Sequence, residues 1–202
     1  MAGTWIGSPG EYLEALKALI DRVDLSGLNA AAELVYRAWR DGRRVYVIGN
    51  GGSAATASHI AGDLLKTAAV EGQPRLAAMC LADNVAIVTA VGNDLSFQEC
   101  YRYPLETYAR EGDVLIAISS SGNSENIVRA CEWAQQHGIV TIGISGFSGG
   151  RLKDHCDVHI NFPSDNYGLI EDLQLAVGHM LAQSLRCRIA ATQSGCDRSA
   201  VV

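Results

Sequence analysis

Several protein classes are excluded by what this chain lacks. Among its 202 residues, 16 lysines and arginines face 22 aspartates and glutamates, a formal net charge of -6. A chain that grips nucleic acid needs a basic face, so nucleic acid is not the expected partner. No apolar run approaches the ~20 residues required to span a bilayer, and the N-terminus lacks the charged-then-apolar plan of a secretory signal. No membrane association is expected, and the expected location is cytoplasmic. The six cysteines, Cys80, Cys100, Cys131, Cys156, Cys187 and Cys196, form no C-x-x-C pair and no short metal spacing. They read as free thiols acting as small apolar residues in a reducing compartment.

What is present is enough for one core. Hydrophobic residues make up 48% of the chain, and this length supports a single domain more readily than two. Apolar, mostly two-sided runs at 45–48, 76–81, 114–118, 140–144 and 158–162 read as strands of a covered parallel sheet. Helix-like segments fall at 11–23, 28–40, 54–67, 84–91, 97–109 and 123–137, with a long one from 168 to 189. The alternation predicts an α/β three-layer sandwich with a five-stranded parallel sheet, occupying residues 1–190. The polar, patternless stretch 191–202 reads as a mobile tail.

Two turns carry the functional signal. Gly49-Asn50-Gly51-Gly52-Ser53 follows the first strand, and Ser119-Ser120-Ser121-Gly122-Asn123-Ser124 follows the third. Each precedes a helix, where unpaired N–H groups and the helix dipole favour an anion. Neither is a dinucleotide fingerprint or a P-loop. Ligands of open α/β sheets bind at the C-terminal strand edge, so the pair predicts a small phosphorylated ligand. Chemistry is available nearby: His59 and Asp63 stand at i and i+4 on one helix face, and His179 lies on the last helix with Asp172 seven residues before it and Glu171 alongside.

These motifs, with Val91-Gly92-Asn93-Asp94 between them and Asp172 to His179 in the last helix, resemble a sugar isomerase (SIS) domain of the phosphoheptose isomerase type, a Rossmann-like fold, over nearly the whole chain. The resemblance implies aldose-ketose isomerisation of a sugar phosphate, foremost sedoheptulose 7-phosphate to D-glycero-D-manno-heptose 7-phosphate, through an enediol-type intermediate. It implies that Ser119, Ser120, Ser121 and Ser124 hold the phosphate and that Asn50, Gly51, Gly52, Ser53, Asn93 and Asp94 contact the substrate. It also implies a homotetramer. Asp63, His179 and Glu171 are the catalytic candidates. His59, Asp63, Glu171 and His179 are the candidate ligands of one zinc ion, since some family members bind zinc there.

The sequence departs from the family at two of these positions. Asp63 stands where the familiar isomerases carry glutamate, and Glu171 where glutamine is expected, so either carboxylate can be the base. The aspartate expected just after the turn at 163–167 is replaced by Gly168 or Leu169. A plain ion pair between His59 and Asp63 on a helix surface is the bland reading of that pair. Two alternative functions stay open: a SIS protein that binds phosphosugars or a replication initiator without turnover, and an isomerase of another sugar phosphate.

Overall fold

Helices alternate with strands along most of the chain and cover both faces of one sheet. The structure is a computed structural model describing residues 4–193. Its elements run α1 (Pro9–Ile20), α2 (Leu25–Arg40), β1 (Arg44–Gly49), α3 (Gly52–Gly62), β2 (Ala77–Cys80), α4 (Val85–Asp94), α5 (Arg102–Tyr108), β3 (Val114–Ser119), α6 (Glu125–Gln136), β4 (Val140–Gly146), β5 (Val158–Phe162) and α7 (Tyr167–Gln193). A π-helical turn, Asp63–Thr67, extends α3, and short 3-10 turns precede α5 and β5.

The five strands are all parallel, in the order β2-β1-β3-β4-β5. Every residue of β3 is buried, as its unbroken apolar run requires. β2 forms an edge and exposes Met79. One layer packs α1, α2, α3 and α7 on the sheet around Val35, Val47, Ile60, Ile116, Ile144 and Val177. The other packs α4, α5 and α6 around Tyr46, Ile48, Leu105, Leu115, Ile127 and Ala130. Strand order reverses at β1, with β2 laid on one side of it and β3 on the other, so the crevice between β1 and β3 is the switch point at which such sheets bind ligands.

Local chemistry sets several boundaries. Ser8 caps α1 by accepting the Glu11 N–H, with Pro9 in the first turn, and Asp24 caps α2 by accepting the Ser26 N–H at 2.9 Å. The apolar stripe of α2 is satisfied within the chain, with Leu28, Ala31, Val35 and Ala38 buried in its own core. Asp94 ends α4, and Asn166 caps α7, its Oδ1 accepting the Leu169 N–H. Helix α7 also continues to Gln193, three residues into the expected tail; the remainder, 194–202, lies outside the described residues.

Candidate functional site

The turns Gly49–Ser53 and Ser119–Ser124 lie side by side at the C-terminal ends of β1 and β3. Neither following helix has a side-chain cap: Gly51 at the start of α3 has none to offer, and the Ser124 hydroxyl makes no cap hydrogen bond to α6. The first-turn N–H groups of both helices thus keep their anion-binding character. Ser119 and Ser120 are buried, and the Ser119 hydroxyl donates to that of Ser124 at 3.3 Å. The serine turn is braced from β4 and the 3-10 turn after it: Gly146 N–H donates to the Ser120 carbonyl at 2.8 Å and Leu152 N–H to the Gly122 carbonyl at 2.9 Å. Gly122 sits at φ +67, and any Cβ there would strike the Gly149 carbonyl, so only glycine fits.

The first turn is held just as firmly. The side-chain amides of Asn50 and Asn126 exchange two hydrogen bonds of 2.9 Å each, and Tyr101 donates its hydroxyl to the Gly49 carbonyl. Gln174, fully buried on α7, contacts the Ser53 hydroxyl and the Ser120 hydroxyl, each at 3.4 Å, and so joins both turns. Sequence reasoning missed Gln174. Its signal was a polar residue on the apolar stripe formed by Ile170, Leu173 and Val177, because a buried amide needs partners.

Three of the four proposed metal ligands converge. His59 Nε2 lies 3.0 Å from His179 Nε2 and 3.3 Å from Asp63 Oδ2, while His179 Nε2 lies 3.7 Å from Asp63 Oδ2. The two rings meet edge to face, centroids 5.1 Å apart. These donor atoms suit one small divalent cation: bonds of ~2.1 Å at tetrahedral angles place neighbouring ligand atoms about 3.4 Å apart, and two imidazoles with a carboxylate form a zinc-type donor set. Both histidines are about half exposed, leaving the fourth direction open to solvent or substrate.

Glu171 stands outside that triad. Its carboxylate rests on the first turn, its oxygens 2.8 and 3.0 Å from where a Cβ at Gly52 would sit, and among the described residues it takes no hydrogen bond or ion pair. Neighbouring Asp172 accepts a 2.7 Å hydrogen bond from Tyr12 of α1, whose hydroxyl is pushed up to about 12 by burial and by the Asp172 carboxylate. Asn93 and Asp94 lie exposed at the end of α4, bonded to each other at 2.7 Å. The remaining histidines have structural partners: His137 stacks on Trp133, His155 pairs with Glu132 at 3.3 Å, and His159 bonds Ser145 at 2.8 Å.

Known proteins resemble this chain along most of its length. The family described as "SIS domain" matches residues 11–146 and, in a second form, residues 104–191. The chain is 35% identical to a phosphoheptose isomerase of Clostridium acetobutylicum over 172 residues, covering 85% of this chain and 81% of that protein. It is 41% identical to one of Rhodospirillum rubrum over 151 residues, covering 75% and 80%. Among solved structures, a phosphoheptose isomerase from Francisella tularensis superposes with a TM-score of 0.82 at 30% identity, covering 88% of this chain and 96% of that one.

Proposed function

The chain belongs to the SIS domain family, in its phosphoheptose isomerase branch, and on that premise we propose that it interconverts sedoheptulose 7-phosphate and D-glycero-D-manno-heptose 7-phosphate. The observation that carries the reading is the meeting of His59 and His179 at 3.0 Å beside a carboxylate, on helices that also frame both anion-binding turns. A protein that only bound a phosphosugar would need the turns alone.

In this reading Ser119, Ser120, Ser121 and Ser124, with the N-terminus of α6, hold the phosphate. Asn50, Gly51, Gly52 and Ser53 line the path of the sugar, with Asn93 and Asp94 at its margin. Glu171 is the base. Both oxygens of Asp63 are engaged, one by Thr67 and one by the imidazoles, whereas the Glu171 carboxylate is free and faces the first turn. From the ketose, Glu171 takes a proton from C1 as the C1–C2 double bond forms, and His179, when its Nε2 holds no cation, supplies a proton to the C2 oxygen. The C1 hydroxyl then gives up its proton to His179 as the aldehyde forms, which restores the acid, and Glu171 returns its proton to C2. His59, Asp63 and His179 would hold a zinc ion, which when bound supplies positive charge beside the carbonyl oxygen.

A homotetramer and a cytoplasmic location complete the proposal. Leu13 and Ile20 on α1, with Met79 and Val85 beside the edge strand, leave apolar area exposed for other subunits. The five free cysteines among the described residues suit a reducing compartment. The test is incubation with sedoheptulose 7-phosphate in deuterated water, following heptose formation and deuterium at C2 by NMR. Turnover that is lost in His179→Ala supports the proposal; no turnover by the wild type at any divalent metal supplied would overturn it.

A further inference from the structure

Aspartate is one methylene shorter than glutamate, and an aspartate on a half-exposed helix samples several rotamers. Asp63 is nevertheless aimed. Thr67 Oγ1 donates to Asp63 Oδ1 at 2.7 Å, closer than either imidazole, and leaves Oδ2 facing His59 and His179. Threonine in a helix commonly turns its hydroxyl back to the carbonyl four residues earlier. Here the Asp63 carbonyl is taken by Ala68 N–H at 2.9 Å, the i+5 bond of the π-helical turn, and the Thr67 hydroxyl goes to the carboxylate.

The turn is itself held from α7. Arg186 donates to the carbonyls of Thr67, at 3.2 Å, and Ala69. Arg186 follows His179 by seven residues, two turns along the same helix face. One helix therefore supplies an imidazole and clamps the segment that carries its carboxylate partner.

We propose that Thr67 is a positioning residue: its hydroxyl fixes one oxygen of Asp63 so that the other completes a metal site with His59 and His179. The inference rests on reading those three residues as a zinc centre. Partners that orient a ligating carboxylate typically contribute ~10–100-fold in metal affinity.

The experiment is a zinc titration of metal-stripped protein against a chromophoric chelator, with melting of each metal-free variant to verify folding. Thr67→Val removes the hydroxyl at nearly constant shape and is expected to weaken zinc binding ~10–100-fold with the metal-free melting temperature unchanged. Thr67→Ser, which keeps the hydroxyl, should bind close to wild type. In an Asp63→Glu background, where the carboxylate reaches further, the effect of Thr67→Val should shrink. Should Thr67→Val fail to melt cooperatively, Thr67→Ala takes its place in the same titration. Equal zinc affinity of the wild type and the hydroxyl-free variant overturns the proposal and leaves the metal centre standing. A wild type that takes up no zinc removes the metal centre, and the role of Thr67 with it.

Discussion

The Nε2 atoms of His59 and His179 face each other across 3.0 Å although 120 residues separate them in the chain. At that distance one ring nitrogen donates to the other or both address a cation, so the pair is sensitive to the spacing of α3 and α7. Gly178, next to His179, sets that spacing: a Cβ there would lie 2.3 Å from Ile60 Cγ1. Gly178→Val is predicted to push the helices apart and cost about 1–3 kcal/mol. For a domain of this size that is a fall of roughly 2–12 °C in melting temperature, readable by calorimetry. Zinc affinity should fall in the same variant, because the imidazoles separate.

Gln174 offers a test of whether the two turns act together. Gln174→Leu fills similar space but withdraws the amide that touches both Ser53 and Ser120. Leaving these buried hydroxyls without that partner costs about 1–3 kcal/mol, and the turns lose their common brace. The expected kinetic result is a raised KM for the sugar phosphate with a smaller change in kcat, since the acid and base are untouched. A fall in kcat alone at constant KM would contradict a shared binding role.

Acid stability should carry a signature from the α2–α7 contact. The Arg188 guanidinium, 2.6 Å from Glu33, holds the Glu33 carboxyl below its ordinary value of 4.5, aided by Arg37. A carboxyl lowered in the folded state stabilises it above the unfolded value and loses that contribution as pH falls through the folded one. The pair is more than a third exposed, so solvent screening makes the effect small. Glu33→Gln is predicted to lower the urea midpoint at pH 7 slightly and to match wild type near pH 2, where both forms are neutral. An equal loss at both pH values would point to packing, not charge.

Why some of this was legible in the sequence and some was not follows from the range of the interactions. The strands were readable because two-sided apolar runs such as 114–118 can only be buried, and Val158–Phe162 matches its expected span. Both turns were readable from glycine and serine at strand ends, and His59 with Asp63 from their i, i+4 spacing. The π-helical turn was not readable: 54–67 scans as one helix, and the Arg186 guanidinium that bonds the carbonyls at its end comes from the far end of the chain. Glu171 and Asp63 could not be told apart as bases either. What separates them is who occupies their oxygens, and Thr67, His59 and His179 claim those of Asp63 only in three dimensions.

That separation gives the sharpest prediction. If Glu171 is the base, Glu171→Gln keeps the shape of the side chain over Gly52 but cannot take a proton, and deuterium incorporation at C2 should fall by about 10²–10⁴-fold. Phosphate binding should be little changed, because the serine turn is intact. The exchange also places the family's expected glutamine at 171 while leaving Asp63 one methylene short of the family's glutamate. Adding Asp63→Glu therefore supplies a longer carboxylate on α3, and the double variant should recover much of the lost exchange. Recovery would mean that the proton-taking role has moved from the end of α3 to the start of α7 in this chain, with the missing reach at 63 offset by the new acid at 171. Full exchange in Glu171→Gln alone, with loss in Asp63→Ala at saturating zinc, would return the role to Asp63.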